Sequence, residues 1–236
     1  MNTPTTAAKR ESDLTRERLA DGGLARALRA DAPAGLRLRS DAELEATLSE
    51  TLREHRPGAD LHVFGYGSLM WNPALDAAEV RVARVSGWHR RFCLRSIFGR
   101  GTPETPGVML ALDRGGAVRG LLFRIEAVKV RSEMRLLWQR EMIAGSYDAR
   151  WVCARVGGEP VRALTFVASR THDRYIADRS PERIADLILT GRGSLGSARA
   201  YFDSTRRALA QLGISDPNIE RLRRAVLAAE GAADSA

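Results

Sequence analysis

The chain has almost no lysine. Of its 37 Lys and Arg residues only Lys9 and Lys129 are lysine, so a formal charge of +8 is carried nearly wholly by arginine. The arginines are spread along the chain rather than gathered in a block. That favours solvated side chains over a nucleic-acid partner, and it suits an anionic small substrate equally well. Cysteine is scarce too. Cys93 and Cys153 lie far apart inside apparent strands, which excludes a disulfide framework or a thiolate metal site. They read as small buried hydrophobes in a protein of the reducing cytoplasm. No apolar run approaches the roughly 20 residues of a membrane span. The start, Met1-Asn2-Thr3-Pro4-Thr5-Thr6, has no apolar centre for a secretory signal. The histidines, His55, His62, His89 and His172, lack metal-ligand spacing. There is no internal repeat or low-complexity tract. The glycine run from Gly191 to Gly196 lacks the preceding strand and the Lys-Ser/Thr ending of a phosphate loop.

What is present is enough for one ordinary domain with an extension. Residues 1–60 read as a polar arm followed by a helix. Thr15 to Arg29 has helical composition but a thin apolar stripe, so a loose or partly ordered arm is expected. Ser40 and Glu43 have capping-box spacing for a helix reaching about His55, ended by Arg56-Pro57-Gly58. The strand-rich part begins at Leu61. Val80 to Val85 and Trp88 to Leu94 read as strands parted by Ser86-Gly87. Gly107 to Leu112 and Val118 to Ile125 read as a hairpin turning at Arg114-Gly115-Gly116. Trp151 to Val156 and Val161 to Val167 suggest a second hairpin across Gly157-Gly158. Such strands argue for a mostly antiparallel sheet that closes into a barrel. The last third is helical: one helix starts at Ser180-Pro181, one runs from about Ser197 to Gln211, and one from Asp216-Pro217 to about Ala229. Residues 61–230 are taken as one domain and 231–236 as a frayed tail.

Two stretches carry chemistry. In Val63-Phe64-Gly65-Tyr66-Gly67-Ser68-Leu69-Met70-Trp71 a short apolar strand meets two closely spaced glycines. Such a turn can aim successive N–H groups at an anion or oxyanion, or simply end the strand. The second stretch is the helical segment from about Val128 to Ala144. On a wheel Val130, Met134, Leu137 and Trp138 share one face, and Glu141 falls near its middle. Arg131, Arg135, Gln139 and Arg140 point elsewhere. A carboxylate on an apolar stripe has its charged form disfavoured. It is either a general base or the partner of a buried arginine. Gly145-Ser146-Tyr147 then breaks the helix and offers a hydroxyl nearby.

Phe64-Gly65-Tyr66-Gly67-Ser68-Leu69 resembles the signature loop of the gamma-glutamylcyclotransferases, and with Met70-Trp71 it resembles their ChaC-type, glutathione-specific branch. Further matches follow in order: Arg90 to Ser96, then Arg100-Gly101-Thr102-Pro103-Glu104-Thr105-Pro106-Gly107, then Arg140-Glu141 with Gly145-Ser146-Tyr147. Ala200-Tyr201-Phe202 and Leu212 to Asp216 complete the set. Ser146 departs from the pattern, where a second glycine is usual. The resemblance covers about Leu61 to Leu222. It implies an α+β fold, a small mixed β-barrel surrounded by helices. It implies cyclisation of the γ-glutamyl group of glutathione, releasing 5-oxoproline and Cys-Gly, with no cofactor or metal. On this resemblance Glu141 is the catalytic acid/base, and Gly65, Tyr66, Gly67, Ser68, Leu69 and Met70 form the substrate loop. Tyr147 and Tyr201 are expected hydrogen-bond donors to the substrate. Arg91, Arg95 or Arg100 is expected to meet its glycine carboxylate. Two alternatives stand: a cyclotransferase for other γ-glutamyl amines or amino acids, and a non-enzymatic binding protein using the basic surface.

Overall fold

The structure, a computed structural model, describes residues 15–233. In chain order the elements begin with α1 (Arg16–Ala20), α2 (Gly23–Asp31) and α3 (Asp41–Leu52). Strand β1 (Leu61–Gly65) leads into a 3-10 turn, Ser68–Met70, and then into β2 (Glu79–Ser96) and β3 (Gly107–Ile125). A second 3-10 turn, Ala127–Lys129, opens α4 (Val130–Glu141), and the hairpin β4 (Tyr147–Val156) and β5 (Glu159–Ala168) follows. The chain ends with α5 (Pro181–Thr190), a two-stranded ribbon of β6 (Arg192–Gly193) and β7 (Gly196–Ser197), α6 (Ala198–Gln211) and α7 (Pro217–Ala233).

Strands β1–β5 close into a barrel in the order β1-β3-β2-β4-β5. All neighbours are antiparallel except β1 with β5, which meet in parallel at Val63 and Leu164, and a short parallel contact of β3 with β5. The fold is therefore the expected α+β arrangement, a mixed barrel with helices around it. Closure removes the free strand edges of an open sheet.

The first predicted hairpin does not exist. Both expected halves belong to one long strand, β3, which pairs with an equally unbroken β2 from Glu79↔Arg124 to Ser96↔Gly107. Gly115 and Gly116, with φ of 104° and 71°, lie opposite Gly87, with φ of 84°, where the register shifts between Ser86 and Trp88. Glycine adopts positive φ without a Cβ penalty, so the two strands bend together instead of turning back. Cys153 also departs from expectation: it is exposed on β4, on the outward side of the alternation, while Cys93 is buried.

One apolar cluster fills the barrel and reaches α5, α6 and α7 through Ile184, Phe202 and Val226. A second packs α3 and α4 against the outside of β1, β3 and β5 through Leu48, Trp138 and Phe166. Helix α3 carries the expected capping box, with the Ser40 hydroxyl accepting from Glu43 N–H and the Glu43 carboxylate accepting from Ser40 N–H. Ser180 caps α5 with Pro181 in its first turn, as the sequence signals.

The described part of the N-terminal arm is neither loose nor extended. Leu19, Leu24 and Leu28 of α1 and α2 are buried against Phe98 and Ile143. Arg16 pairs with the buried Glu133 of α4. The Asp31 carboxylate accepts from Gly99 N–H and Ser194 Oγ, both at 2.7 Å. The thin stripe that looked too weak to order a helix finds its partners in loops far along the chain. Residues 1–14 of the expected arm lie outside the described residues. At the other end α7 continues through the expected frayed tail as far as residue 233, and 234–236 lie outside the described residues.

Candidate active site

Strand β1 ends where the loop begins. A Cβ on Gly65 would come within 2.8 Å of Leu69 Cβ and 2.9 Å of the Phe123 ring, so only glycine lets the chain turn this close to β3. Arg90 holds the turn from behind. It is buried, its Nε donates to the Tyr66 carbonyl at 2.6 Å, and its Nη1 donates to Asp216 Oδ2 at 2.9 Å. Its Nη2 lies 3.6 Å from Met70 Sδ and donates to the Arg119 carbonyl. The loop is thus tied to the start of α7 by a buried ion pair.

In front of the loop lie two spaces that share part of their lining. A small inner one is lined by Gly67, Ser68, Leu69, Leu110, Phe166 and the ring of Tyr66. A wider cleft of about 820 Å³, counted to its open mouth, continues past Leu24, Leu28, Phe98, Arg100 and Arg174. Ser68, Glu141, Tyr147 and Tyr201 border both. Of the residues predicted for the site, Gly67, Ser68, Leu69, Tyr66, Glu141, Tyr147 and Tyr201 are therefore brought together. Gly65 and Met70 line neither space. Gly65 makes the turn possible, and Met70 lies against Arg90.

Glu141 ends α4, and its side chain is 14% exposed. Burial raises its pKa above the ordinary carboxylate value, and the neighbouring Arg140 guanidinium works against that rise. Arg140 does not point elsewhere, as the wheel implied. At the end of the helix its long side chain curls back: Nε lies 3.0 Å from Glu141 Oε1, Nη1 donates to the Asn72 carbonyl at 2.6 Å, and Nη2 donates to Ser68 Oγ at 2.8 Å. The arginine-partner reading left open by the sequence is met, and a cavity lies beside the same group. A second buried carboxylate on α4, Glu133, went unnoticed in the sequence. It is held by Arg16 and the Asp76 N–H and lines neither space.

The tyrosines are anchored in different ways. Tyr66 donates its hydroxyl proton to the Phe166 carbonyl, and Tyr147 donates to the Leu110 carbonyl, each at 2.7 Å. Tyr147 was expected to donate to a ligand, but its proton is already committed, leaving its ring and oxygen lone pairs to face the cavity. Tyr201 is hydrogen-bonded to Ser68, its ring meets Trp71 edge-on at 5.5 Å, and Arg100 sits over it at 4.8 Å. Burial pushes its hydroxyl up to about 12.

Three arginines were candidates for a ligand carboxylate. Arg91 is turned away, bound by Asp113, Tyr175 and the carbonyls of Ala177 and Asp178. Arg95 and Arg100 do line the cleft, and so does Arg174, which sequence reasoning missed. Among the described residues Glu141 is the one acid bordering it, beside Arg95, Arg100, Arg140 and Arg174. No short-range pattern marks Arg174. It follows β5 in an irregular segment, and only the closed barrel carries it there.

A sequence profile described as ChaC-like protein matches residues 61–229. The chain is 40% identical over 178 residues to a glutathione-specific gamma-glutamylcyclotransferase of Escherichia coli K12, covering 75% of this chain and 77% of that protein. It is 33% identical over 146 residues to human glutathione-specific gamma-glutamylcyclotransferase 1, covering 60% of this chain and 66% of the relative. Among solved structures, a yeast gamma-glutamyl cyclotransferase specific to glutathione superposes with a TM-score of 0.67 at 19% identity, over 71% of this chain and 96% of that one. The profile spans more than half of the chain and takes in the loop, the cleft arginines and Glu141, and on these grounds the chain belongs to the ChaC-like family.

Proposed function

We propose that this chain is a glutathione-specific gamma-glutamylcyclotransferase, releasing 5-oxoproline and Cys-Gly. The observation that carries the reading is the placement of Glu141: a carboxylate of raised pKa, clamped to Ser68 through Arg140, beside a cavity walled by the glycine loop. The charge of the cleft supports it as well. Glutathione brings two carboxylates and one ammonium, and the lining offers four arginines and one acid.

The reaction needs no second reactant. The α-amino nitrogen of the γ-glutamyl group attacks its own γ-carbonyl carbon and closes a five-membered ring, so holding the substrate folded supplies much of the rate. A free α-amino group has a pKa near ~8 and is mostly protonated at neutral pH. Glu141 takes that proton first, which frees the nitrogen lone pair for attack, and the ring nitrogen sheds a second proton once the C–N bond has formed. The carbonyl oxygen gains negative charge, and the N–H groups of Gly67, Ser68 and Leu69 stabilise it or the α-carboxylate. As the bond to the cysteine nitrogen breaks, that nitrogen takes up two protons, one of them handed back by Glu141, and departs as an ammonium. No net proton is exchanged with solvent, and no water enters the products. Tyr66 and Tyr147 shape the wall and exclude water, while Tyr201 orients Ser68.

The reading places the protein in the cytoplasm, where reduced glutathione is abundant and free thiols such as Cys93 and Cys153 persist. Among the described residues no helix is long and apolar enough to cross a membrane. The deciding experiment is purified protein with glutathione, following both products by mass spectrometry beside a panel of γ-glutamyl amines and amino acids. Equimolar 5-oxoproline and Cys-Gly from glutathione, with little from the panel, is the expected result. Turnover of the panel without glutathione would redirect the reading, and no turnover at all would end it.

A further inference from the structure

We propose that Arg174, with Arg95 beside it, is the seat of the glycine carboxylate of glutathione; the assignment rests on the function proposed above. Arg174 is 9% exposed and lines the outer cleft but not the inner space. Of the other deeply placed arginines, Arg90 has Asp216, Arg91 has Asp113 and Arg140 has Glu141, while Arg100 is held over the Tyr201 ring and donates to the Ser197 carbonyl. Arg174 has no carboxylate partner among the described residues. Its Nη2 donates to Ser146 Oγ at 2.6 Å, its guanidinium lies 5.0 Å from the Phe98 ring centre, and its buried Nε makes no hydrogen bond. An unmatched cation in such a place is unfavourable, and burial lowers its pKa to about 10. An arriving carboxylate relieves that imbalance, and the planar guanidinium suits it in shape.

Its surroundings indicate which carboxylate. The Arg95 N–H donates to the Arg174 carbonyl at 2.8 Å, so the two residues are neighbours, and the exposed Arg95 side chain forms no ion pair among the described residues. With the γ-glutamyl end held by the loop and Glu141, what extends into the outer cleft is Cys-Gly, whose terminus is a carboxylate. Leu24, Leu28, Phe98 and Ile143 line the same cleft and keep water from a pair formed there.

The test compares glutathione with its glycine amide, which differs only in that terminal charge, on the unaltered protein, Arg174→Met and Arg174→Lys. The unaltered protein should prefer glutathione in kcat/KM by ~10- to 100-fold, as expected for losing one charge-assisted pair, chiefly through KM. R174M should erase the preference by weakening glutathione alone, with R174K between. If R174M does not fold, the two-substrate comparison on the unaltered protein and on R174K decides. Equal handling of both substrates by the unaltered protein, or an equal loss on both in R174M or R174K, overturns the assignment while leaving the proposed reaction intact. Cleavage of neither substrate by the unaltered protein defeats the reaction and the assignment together.

Discussion

Arg140 and Glu141 are neighbours in sequence and partners in space, Nε to Oε1 at 3.0 Å, at the last turn of α4. On an ideal helix adjacent residues point about 100° apart. The pairing arises because the helix ends there and the arginine bends back to the loop. A permanent cation sits beside the group proposed to move protons, so its effect can be measured.

Glu141→Gln keeps the shape and an acceptor for Arg140 but removes the proton site. Turnover of glutathione should fall by at least ~10²–10⁴-fold, the range of general acid–base catalysis. Stability should not fall with it. A carboxyl whose folded pKa is raised loses stabilisation as pH rises from its unfolded towards its folded pKa, so at pH 7 the glutamate is a small liability. The check is initial rates beside a thermal melt. Retained activity in a folded E141Q protein would refute the mechanism.

The pH profile should carry the same signature. Activity needs Glu141 ionised, so the acid limb of kcat/KM should lie above the ordinary glutamate value. Arg140 holds the pKa down, so Arg140→Met should move that limb to still higher pH. A limb that stays in place would separate Arg140 from the titration.

Two glycines of the loop should fail differently. Gly65→Ala places a Cβ 2.8 Å from Leu69 Cβ and should destabilise the protein by ~1–3 kcal/mol through overpacking. Gly67→Ala meets only Leu110 Cδ2 at 3.2 Å and the Tyr201 hydroxyl at 3.4 Å, looser contacts than those at Gly65. It should melt close to the parent and lose affinity for glutathione. Denaturant titrations and KM values distinguish the two.

Helix α2 lies outside the region matched by the family profile, yet Leu24 and Leu28 line the cleft. Leu24→Ala with Leu28→Ala should raise KM for glutathione. Asp31→Ala releases Gly99 N–H and Ser194 Oγ from one carboxylate, loosening the loop next to Arg100, and should act in the same direction. Unchanged KM in both variants would show that the family domain binds substrate unaided.

Much of the site was legible because its signals are local. The Gly65-Tyr66-Gly67-Ser68 turn, the Glu141 stripe and the Ser40 and Ser180 caps depend on neighbours within a few residues. What was misread depends on long-range pairing. Gly115-Gly116 has the composition of a hairpin turn, and only the opposed Gly87 makes it a bend within a continuous ladder. Arg140 was misplaced because a wheel assumes a helix that continues. Arg174 and the α2 leucines were missed because their surroundings are assembled from distant parts of the chain.

That assembly has a consequence for synthesis. The cleft draws walls from Leu24 at one end of the described chain and from Leu195 and Tyr201 near the other. A ribosome that has not yet released α6 therefore holds a polypeptide with an open-sided pocket, whatever order its strands have reached. Closing that side of the pocket waits until the segments carrying Leu24 and Tyr201 have met.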